Sequence, residues 1–210
     1  MGGTFDPIHF GHLRLAEELA ETLALTQVRF IPAGQPAHRI PPRASATHRL
    51  EMVRRAIAGN SRFTLDEREI HRHAPSYSVD TLISLRAELP ADTPLILFMG
   101  ADAFMGLASW HRWETLLSLA HLAVAWRPGF PAADIEKHCP AALSDVLIRH
   151  RCIESALLQQ TPAGCVFLHP ITQLDISASQ IRAAARHGRS VRYLVPDPVL
   201  DYLNENCLYD

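Results

Sequence analysis

The opening residues Met1-Gly2-Gly3-Thr4-Phe5-Asp6-Pro7-Ile8-His9-Phe10-Gly11-His12 constrain the fold more than any other stretch. A glycine pair running straight into an amphipathic helix is a strand-to-helix turn. Gly2 and Gly3 turn tightly with no Cβ in the way, so amide N–H groups can approach an anion. The helix that follows aims its N-terminal N–H groups and positive dipole end at the same point. His9 and His12, one helical turn apart, project together beside it, and Gly11 between them leaves room for a ligand. Read physically, this is a phosphate site with two imidazole donors and no obvious nucleophile. An ordinary turn with core histidines is the plainer alternative.

The rest of the chain alternates strand-like and helix-like patterns. Helical spacing of Leu13, Ala16, Leu19, Ala20 and Leu23 predicts a helix over 12–23, and Val28, Phe30 and Ile31 a strand over 27–32. A proline-rich loop carrying His38, Arg39 and Arg43 precedes a helix at 47–58, with Thr47 as its cap and Gly59-Asn60 as its stop. A strand at 63–65 leads to the charged run Asp66-Glu67-Arg68-Glu69, which reads as a solvated loop edge. His71 and His73 alternate on an expected strand as surface histidines. A helix follows Ser76-Tyr77-Ser78. The apolar run 95–99 reads as a central parallel strand buried on both faces. Trp110 and Trp113 lie in a helical stretch, Trp113 on its apolar pattern; a strand at 122–126 follows. Residues 132–160 read as mostly helical, 166–168 as a strand, and 177–187 and 198–206 as the last helices.

This alternation predicts parallel βαβ units with right-handed crossovers, and so an α/β fold with a doubly wound parallel sheet. Residues 1–210 are expected to form one domain with a small C-terminal helical portion from about 170 onward. Ligands in such sheets sit outside the C-terminal strand ends. The loops beginning at Gly2, Ala33, Gly100 and Arg127 all follow strands, which brings them to one rim.

Composition removes several function classes. With 48% hydrophobic and 20% charged residues the chain is globular, and a net charge of −2 argues against a nucleic-acid or anionic-membrane binder. The sequence has no run of ~18 apolar residues with which to span a membrane, and nothing in its opening residues suggests secretion. The four cysteines, Cys139, Cys152, Cys165 and Cys207, lack Cys-x-x-Cys spacing, so a cytoplasmic setting is expected and no metal site. Lys137 is the single lysine, far from any motif, which disfavours a lysyl-nucleotide intermediate.

The residues from Gly2 to His12 resemble the opening motif of the nucleotidyltransferase superfamily that carries the His-x-Gly-His signature. Ile176-Ser177-Ala178-Ser179-Gln180-Ile181-Arg182 resembles that superfamily's Ile-Ser-x-x-x-Ile-Arg segment, which closes over ATP phosphates. Later segments narrow the resemblance, which covers almost the whole chain, to the nicotinate-nucleotide adenylyltransferases. It implies a Rossmann-like fold, a central first strand here apparently truncated, and a natural chain that begins several residues upstream. The implied reaction joins ATP and nicotinate mononucleotide into nicotinate adenine dinucleotide and pyrophosphate, with Mg²⁺ bridging phosphates. Small molecules are the implied partners, and a homo-oligomer is compatible with it.

Residue by residue, the resemblance implies that His9, His12 and Arg182 act on the phosphates. Gly2, Gly3, Thr4, Phe5, Gly11, Gly100, Asp102, Ile176 and Ser177 would bind ATP. Asp6, His38, Arg39, Tyr77, Ser78, Trp110 and Arg127 would bind the mononucleotide, with Trp110 stacked on the pyridine ring. Plain helix capping competes for Ser78 and Ser177, a core tryptophan for Trp110, and a surface arginine for Arg127. Ser78 stands where the family commonly has threonine, and Ala37 where proline is frequent. The chemistry fits, because the attacking phosphate oxygen is already anionic and needs no general base. Three rivals stand beside this reading: a sister adenylyl- or cytidylyltransferase, a nucleotide sensor without turnover, and an aminoacyl-tRNA ligase fragment, which the absent basic face disfavours.

Overall fold

The computed structural model describes residues 1–36, 41–126, 135, 137–172 and 174–210. Its contacts divide the chain into two compact units, one of residues 1–17, 26–76 and 174–210, the other of 18–25 and 77–173. Every strand pairing among the described residues is parallel, as the alternation of patterns predicts. No described helix is long and apolar enough to cross a membrane.

In the first unit the strands β1 (Gly2–Gly3), β2 (Val28–Pro32) and β3 (Phe63–Leu65) lie in that order. Strand β1 is two residues long, pairing Gly2 with Ile31 and Gly3 with Pro32. Helix α1 (Phe10–Thr22) follows β1, and α2 (Ala46–Ile57) follows β2. Thr47, expected as the cap of α2, lies inside it; Ser45 is the cap and accepts from the His48 N–H at 3.3 Å. The helix starts early because the Arg43 and Ala44 amides just before it are held by the Asp6 carboxylate at 2.9 and 3.0 Å.

The charged run after β3 is not a solvated edge throughout, since Glu69 is only 6% exposed. Gly34 explains why: a Cβ there would stand 2.1 Å from the Glu69 carbonyl oxygen, so the two backbones are in direct contact. The Ser76 hydroxyl completes the attachment, accepting from the Gly34 and Gln35 amides at 3.0 and 3.2 Å. Residues 71–73, expected as a strand, are irregular, and His71 and His73 are exposed.

In the second unit the helix α3 (Ser78–Glu88) precedes a sheet in the order β4 (Ile96–Gly100), β5 (His121–Trp126), β7 (Val166–Pro170), β6 (Arg151–Cys152). The run at 95–99 was expected to be central, but β4 ends this sheet, and β5, with Leu122, Ala123, Val124 and Ala125 buried, is an inner strand. Strand β6 interrupts a segment expected to be helical after α6 (Ala141–His150). Two residues carry no periodicity, and their strand character comes from pairing with β7.

The stretch between β4 and β5 is broken into α4 (Ala101–Met105), two 3₁₀ turns and α5 (Leu116–Leu119). Trp113 is consequently half-buried, while Phe104, Leu107 and Leu116 fill the core. Arg86 of α3 staples this unit, donating to the carbonyls of Leu119, Thr93 and Pro162 at 2.7, 2.6 and 2.5 Å. Back in the first unit, α7 (Ala178–Arg186) and α8 (Asp197–Glu205) close the chain. Tyr202 of α8 meets α2, with its hydroxyl 2.8 Å from His48 Nδ1 and its ring 4.5 Å beneath the Arg55 guanidinium.

Gly34→Ala is expected to destabilise the chain by about 2 kcal/mol or more, because backbone must yield to the new methyl group. A urea midpoint unchanged from wild type would refute the contact.

Candidate active site

The first unit holds the loop that opens the chain. The Ala33 N–H donates to the Gly3 carbonyl at 2.9 Å, so the loops after β1 and β2 start side by side. Arg49 of α2 binds them together, donating through Nη1 to the Thr4 carbonyl at 2.8 Å and through Nη2 to the Gly34 carbonyl at 3.1 Å. Its side chain is 1% exposed, and burial holds its pKa below the ordinary arginine value. Sequence reasoning passed over Arg49. The signal was there: an arginine at a position that helical spacing assigns to the buried face with Met52 and Val53.

His9 and His12 do project together. Their rings stack with centroids 3.7 Å apart and planes 25° from parallel, and Phe5 sets its ring edge-on to His12 at 5.2 Å. Phe5 adopts φ 51°, a strained conformation for a bulky residue, at the turn into this pair. The His9 backbone N–H donates to His12 Nδ1 at 3.3 Å. An amide can only donate, so His12 Nδ1 is the acceptor and the neutral ring carries its proton on Nε2.

His9 is 5% exposed, and burial lowers its pKa from 6.5 to about 4, so it is a neutral imidazole at pH 7. Its Nδ1 is buried and has no hydrogen-bond partner among the described residues. Gly11 makes room for the His9 ring itself, since a Cβ there would stand 3.0 Å from His9 Nδ1.

The second motif joins the first within this unit. The Ile176 carbonyl oxygen lies 3.6 Å from where a Gly11 Cβ would stand. Ser177 caps α7 in a capping box, its hydroxyl accepting from the Gln180 N–H while the Gln180 side chain accepts from the Ser177 N–H. Arg182 Nη1 donates to the Asp6 carbonyl at 2.6 Å and lies 3.6 Å from Asp6 Oδ2.

Asp6, expected against the mononucleotide, has both carboxylate oxygens engaged by its own chain. They accept from the Arg43 and Ala44 amides and, at 2.7 Å, from the Tyr209 hydroxyl. Burial and that bond hold the Tyr209 hydroxyl protonated far above the ordinary phenol range. Nothing local in the sequence marks Tyr209; only the tertiary structure brings it to Asp6.

The second unit holds the remaining described candidates. Gly100 ends β4 and precedes α4, with Asp102 exposed in that helix's first turn. Tyr77 caps the start of α3 without a side-chain capping bond, and Ser78 is the first helical residue rather than the cap. The Tyr77 ring packs on His111 at 4.4 Å, a contact that sequence reasoning did not single out; Trp110 beside it is half-exposed. His38, Arg39 and Arg127 lie outside the described residues. Groups of three or more His, Cys, Asp or Glu suited to a metal ion are absent among the described residues.

The family model described as cytidylyltransferase-like matches residues 1–184. The probable nicotinate-nucleotide adenylyltransferase of Dechloromonas aromatica is 52% identical over 208 residues, covering 99% of this chain and 95% of that protein. The protein of the same description from Acidithiobacillus ferrooxidans is 48% identical over 209 residues, covering 100% and 94%. Among solved structures, the Plasmodium falciparum nicotinic acid mononucleotide adenylyltransferase complexed with NaAD superposes with a TM-score of 0.70. It is 19% identical, with 100% of this chain and 95% of that chain covered. The fold is thus that of a Rossmann-like nucleotidyltransferase.

The depressed pKa of His9 sets a pH dependence. Between about pH 4 and 6.5 the unfolded chain holds a proton that the folded chain excludes. Stability from this group is therefore complete above 6.5 and lost as pH falls toward 4, by roughly 2–3 kcal/mol. Urea midpoints across this range should fall less steeply for His9→Gln than for wild type. Identical slopes would show that His9 is not the buried neutral group.

Proposed function

The chain belongs to the nicotinate-nucleotide adenylyltransferase family, and we propose from this that its opening loop and its Ile176–Arg182 segment hold ATP for attack by nicotinate mononucleotide. The reaction is transfer of the adenylyl group of ATP to the mononucleotide phosphate, giving nicotinate adenine dinucleotide and pyrophosphate, the adenylyl step of NAD synthesis. The observation that carries the assignment of residues is the stacked His9–His12 pair, set where the two motifs meet.

The mononucleotide phosphate oxygen attacks the α-phosphorus, the bond to the β-phosphate bridging oxygen breaks, and pyrophosphate leaves with that electron pair. The nucleophile is anionic at pH 7, so the residues need only align two anions and stabilise charge on the α-phosphate. His12 serves through Nε2–H, the tautomer imposed by the His9 amide. Gly2, Gly3, Thr4, Phe5 and Gly11 shape the backbone around it, while Ile176, Ser177 and Arg182 receive the leaving phosphates.

Buried His9 supports the stacked ring without adding a charge, and its unpartnered Nδ1 is suited to a ligand donor or water. Mg²⁺ carried by the triphosphate would neutralise part of its charge. The Asp6 carboxylate of the loop is taken up by its own chain, so the ion's oxygens would come from phosphate and water.

Gly100 and Asp102 in the second unit are assigned to ATP. Tyr77, Ser78 and Trp110 are assigned to the pyridine nucleotide, along with His38, Arg39 and Arg127. The start of α3, with no side-chain capping bond from Tyr77, offers N–H groups to a carboxylate. That favours nicotinate over nicotinamide. The setting proposed is the cytoplasm, where the four free thiols would stay reduced.

The test is pyrophosphate release from ATP, with and without Mg²⁺, comparing nicotinate and nicotinamide mononucleotides on protein whose thermal melt is checked. Release that needs Mg²⁺ and prefers nicotinate is expected. Equal rates with both substrates would remove the helix-start selection, and a folded but silent protein would favour a sister enzyme or a sensor. His12→Ala should lower kcat about 10²–10³-fold, as for other oxyanion donors; a loss under tenfold would remove His12 from the chemistry.

A further inference from the structure

The first unit contains a cavity of about 190 Å³ lined by Arg43, Ala44, Arg182, Arg186, Leu208, Tyr209 and Asp210. Three arginines therefore line one concavity. Arg182 and Arg186 stand four residues apart on α7, on one face of that helix. Arg43 stands just before α2, its backbone placed by the bond from its own amide to Asp6. Tyr209 forms part of the wall and is held in place by its hydroxyl bond to the same carboxylate.

Arg182 is balanced by Asp6. Among the described residues no carboxylate pairs with the guanidinium of Arg43 or Arg186, and Asp210 supplies the acidic side chain of the lining. Like charges gathered in a concavity repel one another, and the repulsion is relieved when an anion enters. Guanidinium groups present planar forks of N–H donors that match phosphate oxygens two at a time. The cavity is smaller than the roughly 300 Å³ at which pockets for drug-sized ligands begin. A compact polyanion suits it better than a whole nucleotide. Arg182 links it to the loop, because the same guanidinium binds the Asp6 carbonyl.

We propose that Arg43 and Arg186 join Arg182 to form the seat of the pyrophosphate group, as the outer phosphates of bound ATP and then as the leaving product. This deepens the adenylyl-transfer reading and rests on it. Arg43 and Arg186 are binding residues for the leaving group, and Asp210 opposes them, weakening the product's hold.

The test is calorimetric titration of the full chain with magnesium pyrophosphate and, separately, with AMP, each variant's thermal melt being checked. Wild type should bind pyrophosphate. The Arg43→Ala/Arg186→Gln double variant should bind it about tenfold more weakly, the order expected when exposed charge-assisted bonds are removed. AMP binding should not change. Arg186→Lys should restore part of the affinity, and Asp210→Asn should tighten it.

A correctly melting double variant that binds pyrophosphate as wild type does would overturn the proposal, as would equal weakening of AMP and pyrophosphate. If the double variant does not fold, Asp210→Asn and Arg186→Gln alone decide, and no change in either overturns it. Failure of the underlying reading looks different: wild type would form no dinucleotide from ATP and nicotinate mononucleotide. Turnover by a wild type that binds no pyrophosphate would leave that reading intact and refute this seat.

Discussion

The Asp6 carboxylate is the interaction on which the candidate site most depends. It is 5% exposed, and a buried charge is tolerable only with its donors in place. Those donors come from far apart in the chain: two amides at 43 and 44, the hydroxyl of Tyr209, and the guanidinium of Arg182 nearby. One side chain thereby sets the entry into α2, binds Tyr209 near the end of the chain and meets Arg182 of the second candidate motif. A residue whose position suggests a substrate contact is also bound on both carboxylate oxygens by its own chain.

Arg49 plays the complementary part with the opposite charge. Buried on α2, it satisfies the carbonyls of Thr4 and Gly34, which belong to adjoining loops. Buried carbonyls need donors, and a guanidinium can reach two at once. With Asp6 on one side and Arg49 on the other, the strained turn at Phe5 is held from two directions. Strain of that kind persists only where the surroundings over-determine it.

Electrostatics then assign the histidines different parts. Two imidazoles stacked at 3.7 Å would repel if both were charged. Burial keeps His9 neutral, and the His9 amide orients the His12 ring so that Nε2 carries its proton. The pair is thus one oriented donor and one buried neutral ring rather than two equivalent donors. The spacing of the histidines in the sequence does not show this asymmetry.

What the sequence determined by itself was whatever local pattern encodes. The Gly-Gly turn into α1, the strands at 28–32 and 63–65, the serine at the start of α7 and the parallel class of the sheets all follow from periodicity and turn chemistry. The two candidate motifs stand out in the sequence because each is a contiguous run. Tertiary structure alone decided the rest. Strand β6 exists by pairing, the inner place in its sheet went to β5 rather than β4, and Ser45 displaced Thr47 because Asp6 holds the residues before it. Asp6, Arg49 and Tyr209 acquire their roles from partners up to 203 residues away. Sequence records local preference, whereas the satisfaction of a buried charge depends on what folding brings within about 3 Å of it.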